Sequence, residues 1–498
     1  MRYLPDGKWM QKADANTIQN IGIPSMVLME RAALKVVEVM EKEAVRFDRA
    51  LIVCGSGNNG GDGFAVARLL KEKGYSPTVV FAGKDSSLSP ECAAQKEIAE
   101  KLGIVPCTEI SGAEYTVVID ALFGVGLSRE IHGHYAEIVR QMNEKKAKKV
   151  SVDIPSGVHA GTGEIMGVAF RADLTVALVC EKLGCVMYPG KEYSGKVVPV
   201  GIGIQTDIFA ENEQVCFTYD PEDLVENMPE RKPDSHKGTY GKVLMITGSD
   251  GMAGAAYLSA KAAYTAGAGL VQIYTAKDNR PILQELIPEA IIATYDRYDE
   301  NKLEELLQWA DVVCIGCGLG VHKTSEAILT YTITNVSVPC VVDADGLNIL
   351  ARHKELLEQE GGPVILTPHM KEMAGLLDCS VKELKENRME KLSAFTEEFG
   401  YVCALKDSRT VVSRRGRQKF VNTAGNSAMA KAGSGDVLAG ILAGLLAQKM
   451  KPYEAAVLGV YLHACGGDAA KKEKGVYSVL AEDLISGVQR CLNMHKGE

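Results

Sequence analysis

The residues with chemical potential in this chain gather in two glycine-rich segments and at the ends of apolar runs. The first segment, Gly55-Ser56-Gly57-Asn58-Asn59-Gly60-Gly61-Asp62-Gly63, holds five glycines in nine residues. Such density permits a ligand to approach the backbone closely. Gly55, Gly57 and Gly60 satisfy the GxGxxG spacing of dinucleotide-binding turns. The acidic residue that should close the next strand is missing, because Asp85 lies beyond Gly83. Asn58, Asn59 and Asp62 also carry more polarity than a plain pyrophosphate cradle requires. Two later apolar runs end in carboxylates, Asp120 before Ala121-Leu122-Phe123-Gly124 and Asp153 before Ile154-Pro155-Ser156-Gly157. Ligands of open parallel sheets sit outside the carboxyl ends of the strands, so both aspartates and the 58–63 segment should converge on one crevice. Asn, Asp, Ser and backbone oxygens are hard donors that suit an alkali or alkaline-earth ion rather than zinc. A carboxylate such as Asp153 can also carry a proton.

The second segment runs from Asn422 to Gly433-Ser434-Gly435-Asp436 and precedes an apolar helix predicted over Val437–Ala447. Small residues at a helix start leave free N–H groups at the positive end of the dipole, an anion site suited to a phosphoryl group in transfer. Asp436 in the first turn is placed to take a proton from a hydroxyl undergoing phosphorylation. No GxxxxGK[ST] loop accompanies it. The Cys314-Ile315-Gly316-Cys317 pair lacks a second pair or a nearby His and reads as strand-end core.

The elements that must position these residues alternate. Strands are expected at Leu51–Cys54, Thr78–Phe81, Thr116–Asp120, Val150–Asp153 and Leu174–Leu178, with a helix over Phe64–Lys71. Met29, Ala32, Ala33, Val36, Val37 and Met40 form a helical stripe after Ser25, a plausible N-cap, and read as a core or dimer helix. A polar stretch carrying three prolines breaks the pattern between about 205 and 240. Alternation restarts with strands at Lys242–Gly248, Val271–Tyr274, Asp311–Ile315, Cys340–Asp343 and Val364–Thr367. Repeated βα units imply a parallel sheet covered on both faces. Two tandem three-layer α/β/α domains are therefore expected, over 1–215 and 225–498.

Composition agrees with that reading. A chain of 498 residues exceeds one typical domain. With 55 Lys and Arg against 64 Asp and Glu, the net charge is −9, which disfavours nucleic acid as the main ligand. The 13 cysteines are mostly set in apolar runs and read as reduced. The N-terminal residues lack a signal-peptide core, and Val437–Ala447 is about half of a membrane span. A cytoplasmic protein is expected.

Four motifs in the first half occur in the order seen in NAD(P)H-hydrate epimerases: Leu28-Met29-Glu30-Arg31-Ala32, Asn58–Gly63, Asp120–Gly124 and Asp153–Gly157. That family interconverts the R and S forms of NADHX and NADPHX, reduced nicotinamides hydrated at C6. The resemblance implies a Rossmann-like fold in which Asn58, Asn59, Gly60, Gly61 and Asp62 contact the hydrate. Gly124, Val125, Gly126, Leu127, Ser128, Arg129 and Glu130 would do the same, with Asp153 at the reacting ring. It also implies a potassium ion held by Asn59, Asp120 and Ser156.

Gly433-Ser434-Gly435-Asp436 resembles the GxGD anion hole of ribokinase-like enzymes. Lys237–Gly241, Gly251–Ala256, Gly316–Gly320, Asp343–Asn348 and Thr367–Glu372 narrow the likeness to ADP/ATP-dependent NAD(P)H-hydrate dehydratases. The resemblance implies phosphorylation of the C6 hydroxyl of the S-hydrate followed by elimination of phosphate. It places Ala253, Gly318, Gly320, His369 and Asp436 against the hydrate. Lys406, Asp407, Ser408, Arg409, Thr410 and Gly435 would meet ADP or ATP, which carries Mg2+. Both families oligomerise, so a homo-oligomer is expected. Two other readings stand beside this one: a hydroxymethylpyrimidine-type kinase fused to a Rossmann-like domain, and a binding module in the first half that has lost catalysis.

Overall fold

The computed structural model describes residues 1–210, 212–359 and 361–494, so the last residues of the expected second domain, 495–498, lie outside the described residues. The chain divides into two compact units, Arg2–Phe217 and Thr218–Glu498 with Met1. Among the described residues no helix is long and apolar enough to cross a membrane.

In the first unit the strands β1 (Ala50–Cys54), β2 (Thr78–Phe81), β3 (Val117–Ala121), β4 (Lys148–Val152), β5 (Leu174–Leu178) and β6 (Lys196–Val200) form a sheet in the order β2-β1-β3-β4-β5-β6. Every pairing in it is parallel. The central strands β1, β3 and β5 are buried along their whole length, as expected of a sheet covered on both faces. The chain order reverses at β1, between β2 and β3, which opens a crevice at their carboxyl ends. Helices α1 (Gly7–Asn16), α2 (Ser25–Lys42), α3 (Asn58–Glu72), α4 (Pro90–Lys101) and α5 (Gly133–Glu144) accompany the sheet.

Two local expectations change. Ser25 is the first residue of α2 rather than its cap. Pro24 takes the cap position, and the Ser25 hydroxyl donates to Glu91 on α4 at 2.7 Å, a charged acceptor that outcompetes the backbone. The glycine-rich segment is also not a loop throughout: α3 starts at Asn58, so Gly60, Gly61 and Gly63 form its first turns. Those turns lie against the sheet, and a Cβ on Gly60 would fall 1.9 Å from the Gly55 carbonyl oxygen. The glycines therefore bring the positive end of α3 down onto the ends of β1 and β3.

The second unit carries β7 (Lys242–Ile246), β8 (Leu270–Ala276), β9 (Ile291–Tyr295), β10 (Val312–Ile315), β11 (Cys340–Val342), β12 (Val364–Leu366), β13 (Val402–Leu405), β14 (Val411–Ser413) and β15 (Phe420–Val421). They run in the order β15-β14-β13-β12-β11-β10-β7-β8-β9. The ladder is parallel from β13 to β9 and antiparallel at β14 and β15. Helices α6 (Ala253–Thr265), α7 (Asp345–Leu350), α8 (Met370–Leu376), α9 (Ser434–Ala447) and α10 (Pro452–Ser478) pack around it, α10 being interrupted at Gly475. Helices α6 and α9 pack unusually closely. A Cβ on Gly440 would meet the Ser259 carbonyl at 2.1 Å, and one on Gly444 the Ala263 carbonyl at 2.5 Å. Small residues one turn apart thus fix where α9, and the Gly433–Asp436 turn at its head, sits over the strand ends.

Candidate active sites

A cleft of about 660 Å³ opens at the carboxyl ends of the strands in the first unit. Asn58, Asn59 and Asp62 from α3, Gly124–Arg129 from the loop after β3, and Asp153 after β4 all line it. Gly60 and Gly61 are packed inward, against Gly55 and Met29, and the exposed Glu130 pairs with His132 at 3.2 Å.

Asp153 has φ +71°, a left-handed conformation unusual for a residue with a side chain. Its Oδ1 accepts from the Leu178 N–H at 3.0 Å and from the ammonium of Lys182. Lys182 is fully buried and donates further to the Leu178 carbonyl at 2.7 Å. An ion pair in so little water demands this full set of partners. Asp62 lies close by, and burial, with Asp153 and Asp14 as negative neighbours, raises its carboxyl well above the ordinary range. Burial and the Glu91 carboxylate raise Asp14, on α1, as well. The cleft thus sets the Asp153–Lys182 pair beside carboxyls that hold protons more tightly than usual, an arrangement able to give and take a proton.

Lys182 and Asp14 escaped the sequence reading. Lys182 had a usable signal, since it follows the strand run Leu174–Leu178 by four residues, as Asp120 and Asp153 close theirs. Asp14 is one acid on an amphipathic helix and had none.

Beneath the cleft Asp120 is completely buried. Its carboxylate accepts from the Ser156 hydroxyl at 2.6 Å, the Ser156 N–H at 2.7 Å, the Ser151 hydroxyl at 3.2 Å and the Leu122 N–H at 3.2 Å. Burial nevertheless pushes its pKa up to about 6 against those donors. The Asn59 carboxamide is buried with neither its nitrogen nor its oxygen hydrogen-bonded. A buried amide left without partners is costly. An oxygen-coordinated monovalent cation beside Asn59, Asp120 and Ser156 would satisfy its oxygen, so the donor chemistry fits potassium.

In the second unit the predicted hydrate residues gather around the head of α9. Gly433 caps the helix with φ +88°, and Asp436 is half-buried in its first turn. Burial, then the Asp343 carboxylate, raises the Asp436 carboxyl to about 6. Ala253 opens α6, and the Gly320 N–H donates to Asp345 at 2.8 Å. His369 caps α8: its Nδ1 accepts from the N–H groups of Lys371 and Glu372 at 3.1 and 3.0 Å, while Glu372 accepts from the His369 N–H at 2.7 Å. This reciprocal box fixes the imidazole with Nδ1 as acceptor. Burial lowers the His369 pKa and lifts the Glu372 carboxyl to about 7.

Lys406 is separated from the rest of its segment. Its ammonium pairs with Asp343 at 2.5 Å, its N–H donates to the Pro368 carbonyl at 2.7 Å, and the α-carbon of Gly435 faces both charges. Asp407 and Ser408 are exposed in the turn before β14, where Asp407 pairs with Arg388 at 2.7 Å. Asp343 and Glu372 were visible in motifs but unassigned, because only the folded sheet brings their carboxylates to Lys406.

Fold and sites together define a two-unit α/β enzyme that handles nucleotides. The family model described as YjeF-related protein N-terminus matches residues 25–184, and the one described as NAD(P)H-hydrate dehydratase matches residues 243–490. A bifunctional NAD(P)H-hydrate repair enzyme from Moorella thermoacetica is 36% identical over 97% of this chain and 95% of its own length. An ADP/ATP-dependent NAD(P)H-hydrate dehydratase from Bacillus subtilis, co-crystallized with ATP/Mg2+, is 29% identical. That likeness covers 56% of this chain and 98% of the other, with a TM-score of 0.50. A ribokinase-like superfamily protein from Enterococcus faecalis V583 is also 29% identical, over 56% of this chain and 95% of its own, with a TM-score of 0.52. The chain belongs to the bifunctional NAD(P)H-hydrate repair enzymes. Its two units are the Rossmann-like and ribokinase-like α/β folds of that family.

Proposed function

We propose that residues 1–215 interconvert the R and S epimers of hydrated NADH and NADPH, and that residues 225–498 dehydrate the S epimer at the expense of ADP or ATP. The carrying observation is that one chain, aligned end to end with repair enzymes, holds both a proton-transfer cleft and an Asp-headed anion-binding helix. Epimerisation at C6 needs water lost and returned, or the ring opened and closed. Either route requires a carrier that gives and takes a proton at the reacting ring, and Asp153 held by Lys182 supplies it. Residues 58–62 and 124–130 hold the nucleotide, with the N–H groups at the head of α3 facing its phosphates. A potassium ion bound by Asn59, Asp120 and Ser156 would supply fixed positive charge beside an anionic substrate.

In the second site Asp436 takes the proton of the C6 hydroxyl as that oxygen attacks the terminal phosphoryl group of the nucleotide. The N–H groups of Gly435 and its neighbours stabilise the transferring charge. The nucleotide leaves one phosphate shorter, and departure of phosphate from C6 with loss of a proton from C5 then restores the dihydronicotinamide. Ala253, Gly318, Gly320 and His369 shape the hydrate side, and Lys406–Thr410 the nucleotide side, where Mg2+ enters on the phosphates. A cytoplasmic homo-oligomer is our reading of its setting, the cytoplasmic part supported by cysteines set mostly in apolar runs.

The test is incubation with prepared R- and S-NADHX, ADP or ATP, and Mg2+, following recovery of dihydronicotinamide absorbance. Both epimers should be consumed. Consumption of S alone would remove the epimerase assignment, and a phosphorylated product released without dihydronicotinamide would favour a simple kinase. Exchanging potassium for tetramethylammonium should slow epimerisation about tenfold or more while dehydration of S proceeds, since the bulkier cation cannot enter the buried site beside the Asn59 amide oxygen. Equal epimerisation rates in the two salts would remove the cation site.

A further inference from the structure

The turn after β11, Asp343-Ala344-Asp345, faces both sides of the second site. Ala344 has φ +48° and ψ −118°, a strained backbone for a residue with a side chain. The surroundings hold that strain in place. The Asp343 N–H donates to the Ile315 carbonyl at 3.1 Å, and the Gly346 N–H donates to the Asp343 carbonyl at 3.0 Å. A Cβ on Gly316 would fall 2.0 Å from the same carbonyl oxygen, so β10 backs directly onto the turn. Asp345 accepts from the Gly320 N–H at 2.8 Å on the hydrate side, and Asp343 accepts from the Lys406 ammonium at 2.5 Å on the nucleotide side. The two members of that ion pair are unequally placed. The Asp343 side chain is 2% exposed and that of Lys406 is 20% exposed, so only the ammonium is open to a ligand.

We propose that Asp343 is a positioning residue for phosphoryl transfer: it fixes the Lys406 ammonium over the first turn of α9, aimed at the incoming phosphoryl group, without touching the substrate itself. A Cβ built on Gly435 would lie 3.4 Å from both the Asp343 Oδ2 and the Lys406 Nζ, so the pair sits directly on the turn whose N–H groups receive that group. A lysine is a point charge on a flexible stem and needs an anchor to hold one position. An ammonium has three donors, so one bond to Asp343 leaves the others for phosphoryl oxygens. Glu372 on α8 also faces Lys406, but its carboxylate accepts from the His369 N–H at 2.7 Å and lies 3.3 Å from the His369 Nε2. Asp343 is therefore the carboxylate hydrogen-bonded to the ammonium, and the rigid turn at Ala344 gives the anchor its fixed place.

This inference rests on the reading of Lys406 as a contact of the nucleotide. The measurement is steady-state dehydration of S-NADHX by the full chain with ADP or ATP and Mg2+, with epimerisation and the melting curve of each variant as folding controls. Asp343→Asn keeps the shape and removes the charge. It should lower kcat at least about tenfold, the lower end for losing a hydrogen bond between charged groups, with the KM for S-NADHX within about twofold of the parent's. Lys406→Met should lose at least as much. The double variant Asp343→Asn, Lys406→Met strands no buried charge, so it should fold even where the single Asp343 variant does not, and its kcat should match that of Lys406→Met. A smaller kcat loss in folded Asp343→Asn would overturn the inference. So would a loss beyond about twofold on adding Asp343→Asn to Lys406→Met, because the carboxylate would then act on its neighbour Asp436 or on the fold rather than through Lys406. If Lys406→Met turns over at the parent rate, the reading of Lys406 fails as well. If Lys406→Met is impaired and Asp343→Asn is not, only the role of Asp343 fails.

Discussion

Asp436→Asn should lower dehydration of S-NADHX by about 10³-fold, within the 10²–10⁴ range typical of a lost general base, while the same polypeptide still epimerises R and S at the parent rate. Asparagine fills the same space in the first turn of α9, so the anion-binding N–H groups stay in place and only proton acceptance is removed. Asp436 suits that task because burial and Asp343 bring it to about 6, ionised at neutral pH yet basic enough to take a hydroxyl proton. Below that value the carboxyl is protonated and cannot accept, so the parent rate should fall as pH drops through about 6. Epimerisation is the internal control because Asp436 and Asp153 belong to different compact units. Parent-rate dehydration by Asp436→Asn, in the coupled absorbance assay, would remove the assignment.

Lys182→Met should reduce epimerisation at least about 100-fold and destabilise the first unit by about 3–5 kcal/mol, the usual result of stranding one charge of a buried pair. Lys182 has no exposed surface, and its ammonium partners are the Asp153 carboxylate and the Leu178 carbonyl. Without it the Asp153 carboxylate is left in the buried cleft beside Asp62 and Asp14 with no cation to balance it. The double variant Asp153→Asn, Lys182→Met removes both charges together. It should therefore regain much of the lost stability while staying inactive. Urea unfolding of the full chain reads the first effect and the R-to-S conversion rate the second. A single variant as stable and active as the parent would show that the pair is not coupled to the reaction. A double variant losing as much stability as the sum of its parts would show that the two charges do not support each other.

The two glycine-rich segments illustrate how far local sequence carries. Alternating β-branched and helical runs identify parallel α/β units, because a strand buried on both faces must be apolar throughout and a covering helix must be amphipathic. The carboxyl ends of those strands then locate Asp120 and Asp153, and the glycine-rich start of an apolar helix locates Asp436, without coordinates. Boundaries are less legible. The segment starting at Asn58 looks like a loop because glycine disfavours helix, and it becomes helix because only glycine lets α3 lie directly on Gly55. Ser25 has the chemistry of a cap and loses that place to Pro24 because Glu91, 66 residues away, claims its hydroxyl.

The sequence by itself therefore determined the tandem α/β architecture, the strand ends that carry chemistry and the family likeness, since all three reside in local periodicity and short motifs. Only the tertiary structure decided the partners of those residues. The Lys182–Asp153 and Lys406–Asp343 pairs join positions 29 and 63 residues apart. Burial, which raises Asp120 and Asp436 to about 6, is likewise a property of the packed sheet. Charge pairing and desolvation depend on distance through space and on excluded water, and neither is fixed until the strands have found their order.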